Sequence, residues 1–123
     1  MKFLATSVTL AILIGSSTSA SAFGISFKWC GGSSPAFSLS GVPKGTKSLM
    51  FNMVDNDAPN YQHGGGTVAY TGQASLPCGA LSSFNGPSPP GGAVHTYVFN
   101  ATALDPSGKS LGSARATRRF PEK

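Results

Sequence analysis

No stretch of useful length in this chain keeps a 3.6-residue apolar period without a glycine or proline interrupting it, so helices are confined to a minor role. Sixteen glycines and nine prolines divide the 123 residues into short segments. Between these breaks the apolar residues alternate with period two, as in strands. Lys47–Val54 and Thr96–Leu104 are the strongest such segments. In the first, Leu49, Phe51 and Met53 share one face, and Met50, Asn52 and Val54 share the other. With both faces largely apolar, that strand is expected at the centre of a sheet and covered on both sides. Gly24–Trp29, Ala36–Leu39, Thr67–Thr71 and Leu111–Phe120 read as further strands, separated by turns such as Ser40–Thr46 and Asp105-Pro106-Ser107-Gly108. The expected class is mostly β: one small domain built as an antiparallel β-sandwich with little helix. Eight phenylalanines and three tyrosines supply its core and argue against disorder.

The first residues have the pattern of a secretory leader. Lys2 is the charged start, Phe3–Gly15 is apolar but too short for a stable bilayer anchor, and Ala20-Ser21-Ala22 is a small-residue cleavage site. The expected division is a signal peptide over 1–22 and one domain over 23–123, exported to a periplasm or secreted, with no transmembrane anchor. In an exported chain, two cysteines are candidates for a bridge. Cys30 and Cys78 are expected to pair, the alternative being two free thiols.

Charged residues are only 11% of the chain, and the formal net charge is +5. The excess gathers late, at Lys109, Arg115, Arg118, Arg119 and Lys123. This reads as a solvated strand and tail, with contact to anionic headgroups as the sharper alternative. A nucleic-acid partner is not expected, because export separates the chain from it and no basic–aromatic interleaving occurs.

Two polar clusters stand out. Asp55-Asn56-Asp57-Ala58-Pro59 follows the first strong strand. Gly86-Pro87-Ser88-Pro89-Pro90 is a rigid turn that leads into His95-Thr96-Tyr97 at the start of the second. His95 and Tyr97 alternate, so they point the same way from that strand. Together with Ser34-Pro35-Ala36-Phe37-Ser38-Leu39-Ser40-Gly41-Val42-Pro43-Lys44-Gly45-Thr46, these motifs occur in an order that resembles the phosphatidylethanolamine-binding protein family, in its bacterial Raf-kinase-inhibitor-like branch. The resemblance covers most of the chain after residue 22. It implies a β-sandwich of two sheets and one anion-accepting pocket formed by Asp55, Asp57, Pro59, His63, Gly86, Pro87, Pro89, His95 and Tyr97. It also implies a phosphorylated small molecule or phospholipid headgroup, such as phosphoethanolamine, as ligand; no cofactor and no metal are expected.

The chain departs from the family pattern at several places. Asn56 replaces the first proline of the acidic motif, and Ser88 replaces a frequent cysteine, with Cys78 as the expected substitute. Gln62 stands where an aromatic residue usually precedes the pocket histidine, and the C-terminal helix of longer members has no counterpart. A more open site is the expectation. The resemblance also leads us to expect a cis peptide bond at Ala58–Pro59, folding Asp55 and Asp57 back over the pocket.

Other chemistries fit less well. Asp55, Asp57, His63 and His95 are metal-compatible residue types, yet no His-Glu-x-x-His or Cys-x-x-Cys spacing is present. Ser88 lies in Gly-Pro-Ser-Pro-Pro rather than in a nucleophile elbow, so an enzyme is not expected. A protein-interaction module that inhibits or regulates an exported enzyme is the alternative function. Asn100-Ala101-Thr102 is a glycosylation sequon inside an expected strand and reads as chance.

Overall fold

The computed structural model describes residues 22–122, with residues 5 and 9 isolated before them. The expected leader therefore lies outside the described residues except for positions 5, 9 and 22. Eight strands, all antiparallel, and no helix make up the described part. They are β1 (Gly24–Cys30), β2 (Ser33–Ser40), β3 (Ser48–Asp55), β4 (Gly64–Ala69), β5 (Ser75–Leu76), β6 (Ser83–Phe84), β7 (His95–Leu104) and β8 (Ser110–Phe120). A three-stranded sheet runs in the order β1-β2-β5, and a five-stranded sheet in the order β6-β4-β3-β7-β8.

The larger sheet is organised by β3 and β7, which pair over eight residues from Ser48↔Leu104 to Asp55↔Tyr97. Leu49, Phe51 and Met53 on β3, and Tyr97, Phe99, Ala101 and Ala103 on β7, all face inward and are buried. Phe27 and Phe37 meet them from the smaller sheet. Phe99 is the hub, its ring centroid 5.0 Å from Phe27 and 4.9 Å from Phe37, both edge-on. Ala101 and Ala103 carry small side chains on the same inward face. Each buried phenylalanine contributes roughly 1.5–3 kcal/mol over an exposed one.

The two strong strands thus lie where their alternation placed them, but the covering of β3 differs from expectation. Its outer face carries Met50, 45% exposed, and an exposed Asn52. Strand β3 is central by hydrogen bonding, with β4 on one side and β7 on the other, while the smaller sheet covers only one face. An antiparallel sheet tolerates this one-sided burial, and an apolar methionine does not guarantee a partner layer.

Cys30 and Cys78 form the expected disulfide, with Cα atoms 5.9 Å apart. The bridge fastens the end of β1 to the segment just after β5. Close backbone approach explains the Gly64-Gly65-Gly66 run. A Cβ on Gly65 would stand 2.0 Å from the Phe51 carbonyl oxygen, and one on Gly64 would stand 2.1 Å from that of Ser83. Only glycine lets β4 lie in this position between β3 and β6.

Candidate functional site

The β3–β7 register ends with Asp55 opposite Tyr97, and His95 lies one strand period before Tyr97. Both β7 side chains therefore turn toward the end of β3, where the acidic cluster begins. His95 Nδ1 lies 2.6 Å from Asp55 Oδ2. The carboxylate accepts, so the proton of that bond sits on His95 Nδ1.

The acidic loop is clipped to β7 from both sides. Asn56 N–H donates to the Thr96 carbonyl at 2.9 Å. Thr96 N–H donates back to Asp57 Oδ2 at 2.8 Å. Asp55 Oδ1 accepts the Asp57 N–H at 2.8 Å, a carboxylate-closed turn. Ala58 N–H then reaches the Asp55 carbonyl at 3.2 Å, and Tyr61 N–H reaches that of Ala58 at 3.0 Å. These contacts fold the loop with Ala58–Pro59 in trans, contrary to the cis bond expected there. Among the described residues the cis bond is Phe120–Pro121.

His63 stands just before β4, across β3 from β7. Its Nδ1 donates to the Asn85 carbonyl at 2.8 Å, and its own carbonyl accepts the Asn85 N–H at 2.8 Å. Both imidazoles thus have Nδ1 engaged, and neither Nε2 has a protein partner. The His63 ring packs edge-on against Tyr97 at 5.3 Å, with Tyr61 tilted over it at 4.6 Å.

These groups enclose a cavity of about 480 Å³ lined by Asp55, Asp57, Ala58, Tyr61, His63, Ser88, Pro90, His95 and Tyr97. Five of the residues named from sequence converge on it: Asp55, Asp57, His63, His95 and Tyr97. Pro59, Gly86, Pro87 and Pro89 lie in the loops that carry the wall but do not line it. From the proline-rich loop, Ser88 and Pro90 do. Tyr61, 54% exposed at the mouth, was not foreseen. An aromatic two residues before His63 was the available signal; the position immediately before it, where the family pattern places an aromatic, holds Gln62.

The electrostatics are uneven. Burial works against the Asp55 charge, but the His95 hydrogen bond, the Asp57 N–H and the His95 charge outweigh it and hold the carboxyl below its ordinary value. Tyr97 is fully buried, and its hydroxyl lies beside the Asp55 carboxylate and the Ser88 backbone without a hydrogen bond of good geometry to either. Burial first, and the neighbouring Asp55 charge second, push its pKa up to about 12. The phenol is therefore a neutral donor at any physiological pH.

The described residues form a two-sheet sandwich with a polar cavity at the end of its central strands. No helix among the described residues is long and apolar enough to cross a membrane. The family model described as phosphatidylethanolamine-binding protein matches residues 17–120, and the chain belongs to that family. Membership suggests ligand binding. Two solved structures share the fold. Escherichia coli YbcL, described as a new member of the mammalian PEBP family, is 21% identical with a TM-score of 0.60, covering 84% of this chain and 100% of that one. The phosphatidylethanolamine-binding protein homolog CT736 of Chlamydia trachomatis is 20% identical with a TM-score of 0.63, covering 83% and 99%. A search of curated proteins finds no match.

Proposed function

We propose that this protein is an exported binding protein whose cavity takes a phosphate-like anion, as a free phosphorylated small molecule or as a lipid headgroup. The observation that carries the reading is the Tyr97 hydroxyl, a buried donor that makes no well-formed hydrogen bond to its neighbour Asp55, in a cavity shared with two imidazoles. A buried polar group left unpaired costs free energy that an arriving acceptor recovers. Protonated imidazoles supply further charge-assisted donors through Nε2. Asp55 supports this role from behind, because it keeps one proton on His95 Nδ1 and so directs Nε2 to the ligand. The disulfide supports export.

The test is calorimetric titration of phosphoethanolamine and inorganic phosphate into wild type, His95→Ala and Tyr97→Phe. Binding by wild type and weaker binding by both variants are expected. Equal affinities in the three proteins would defeat the assignment.

A further inference from the structure

The loop that follows β6 carries a chemically reactive pair outside the cavity lining. Asn85 is followed by Gly86, whereas the four other asparagines, Asn52, Asn56, Asn60 and Asn100, are followed by Met53, Asp57, Tyr61 and Ala101. Asparagine is among the thermolabile residue types. Its side-chain amide is lost when the next backbone nitrogen reaches the amide carbon, an approach that the Cβ of an ordinary following residue obstructs. Glycine has no Cβ.

The fold leaves the reacting atoms free. Asn85 is exposed and lies just past the end of β6, outside both sheets. Its Nδ2 reaches the Gln62 carbonyl at 3.5 Å, the outer limit of a hydrogen bond. Among the described residues the Gly86 N–H has no backbone acceptor. A Cβ built on Gly86 would meet Phe84 Cε1 at 3.7 Å and otherwise only its chain neighbours, so the space around this peptide is open. The main chain of Asn85, by contrast, is held. Its N–H donates to the His63 carbonyl, and its carbonyl accepts from Nδ1 of the buried His63, both at 2.8 Å. What happens at Asn85 therefore reaches a residue that lines the cavity.

We propose that Asn85 is a site of spontaneous deamidation through Gly86, which places a new negative charge beside His63. The Gly86 nitrogen attacks Asn85 Cγ. A bond forms between these atoms, the Cγ–Nδ2 bond breaks, and ammonia leaves with the proton that the Gly86 nitrogen gives up. Solvent water then opens the cyclic imide at either carbonyl. The net change is amide plus water to carboxylic acid plus ammonia, with no change of oxidation state. Opening at Cγ gives aspartate. Opening at the main-chain carbonyl gives isoaspartate, in which the backbone runs through the former side chain and gains one carbon. In that product the neutral carbonyl that held His63 Nδ1 becomes a carboxylate, and the chain leading to Ser88 and Pro90 is lengthened. The reaction needs no enzyme and does not depend on what the cavity binds.

The experiment stores folded, disulfide-intact protein in mildly alkaline buffer and maps digests over time by mass spectrometry, with reduced, urea-unfolded protein as the control. In the folded protein, Asn85 is expected to convert to the acid at least several-fold faster than any of the other four asparagines. Labelling by an isoaspartate-specific methyltransferase is expected to follow the same time course. Another asparagine converting ahead of Asn85 overturns the assignment. So does an Asn85 that stays amide in the folded protein while it converts in the unfolded control. Gly86→Ala tests the route. Gly86 is not at positive φ, and the added methyl meets the edge of the Phe84 ring at an ordinary contact distance, so this variant is expected to fold. Its conversion is expected to be at least several-fold slower, and a wild-type rate overturns attack by the Gly86 nitrogen.

Discussion

His95 Nδ1 donates to Asp55 Oδ2 at 2.6 Å, joining the first residue of β7 to the last residue of β3 by their side chains. The backbone ladder between these strands ends at Asp55↔Tyr97, so this contact continues the pairing past its last register position. It also fixes which nitrogen of His95 is left for the cavity.

The acid limb of stability follows from this contact. Asp55 has a folded value below its ordinary 3.8. Its contribution is therefore fully present above the ordinary value and is lost as pH falls through the lower folded one. The melting temperature of wild type should drop over that acid range. Asp55→Asn should be less stable at neutral pH and lose this part of the acid dependence. Parallel pH profiles for the two proteins would refute the linkage.

Tyr97→Phe should separate stability from binding. Removing an unpartnered buried hydroxyl leaves the ring packing intact, so urea unfolding should show no loss and a gain of up to about 1 kcal/mol. Anion affinity should nevertheless fall. In a spectroscopic titration of wild type, one of the three tyrosines should ionise late, near pH 12, and that step should vanish in the variant. Because the folded value is raised, wild-type stability should decline once pH exceeds the ordinary value of 10.0.

Gly65→Ala should be far more harmful than its size suggests. The added methyl would stand 2.0 Å from the Phe51 carbonyl oxygen, a backbone atom that cannot rotate away. A loss of at least roughly 2 kcal/mol is expected in urea denaturation. His63 enters β4 through the same glycines, so binding should weaken with it. A variant as stable as wild type would show that the strand can shift.

Phe99→Ala removes the ring on which both sheets converge. Core truncations of this kind cost about 3–5 kcal/mol, a large share of what a small domain possesses. The variant is expected to be largely unfolded at 37 °C by circular dichroism. A native spectrum there would mean that the core repacks around the gap.

Much of this arrangement was legible because two long segments alternate cleanly. Period two placed Leu49, Phe51 and Met53 together, and set His95 and Tyr97 on one side of β7. The motifs then named the acidic loop that meets them. Strands β5 and β6 were not legible, since Ser75–Leu76 and Ser83–Phe84 are two residues each and too short to show a period. The exposure of Met50 was hidden as well, because an alternating sequence does not tell how many layers a sheet has. At Ala58–Pro59, the carboxylate of Asp55 closes the turn that a cis bond was expected to make.

The Cys30–Cys78 bridge, spanning a sequence separation of 48, closes a covalent ring. Asp55, Asp57, Tyr61 and His63 belong to the ring. Ser88, Pro90, His95 and Tyr97 belong to the chain that leaves it. The cavity is the joint where this tail docks on the ring, and any ligand that touches both halves acts as a clasp across it. Occupancy then strengthens tertiary docking by mass action, and a measured affinity reports how completely the tail has seated.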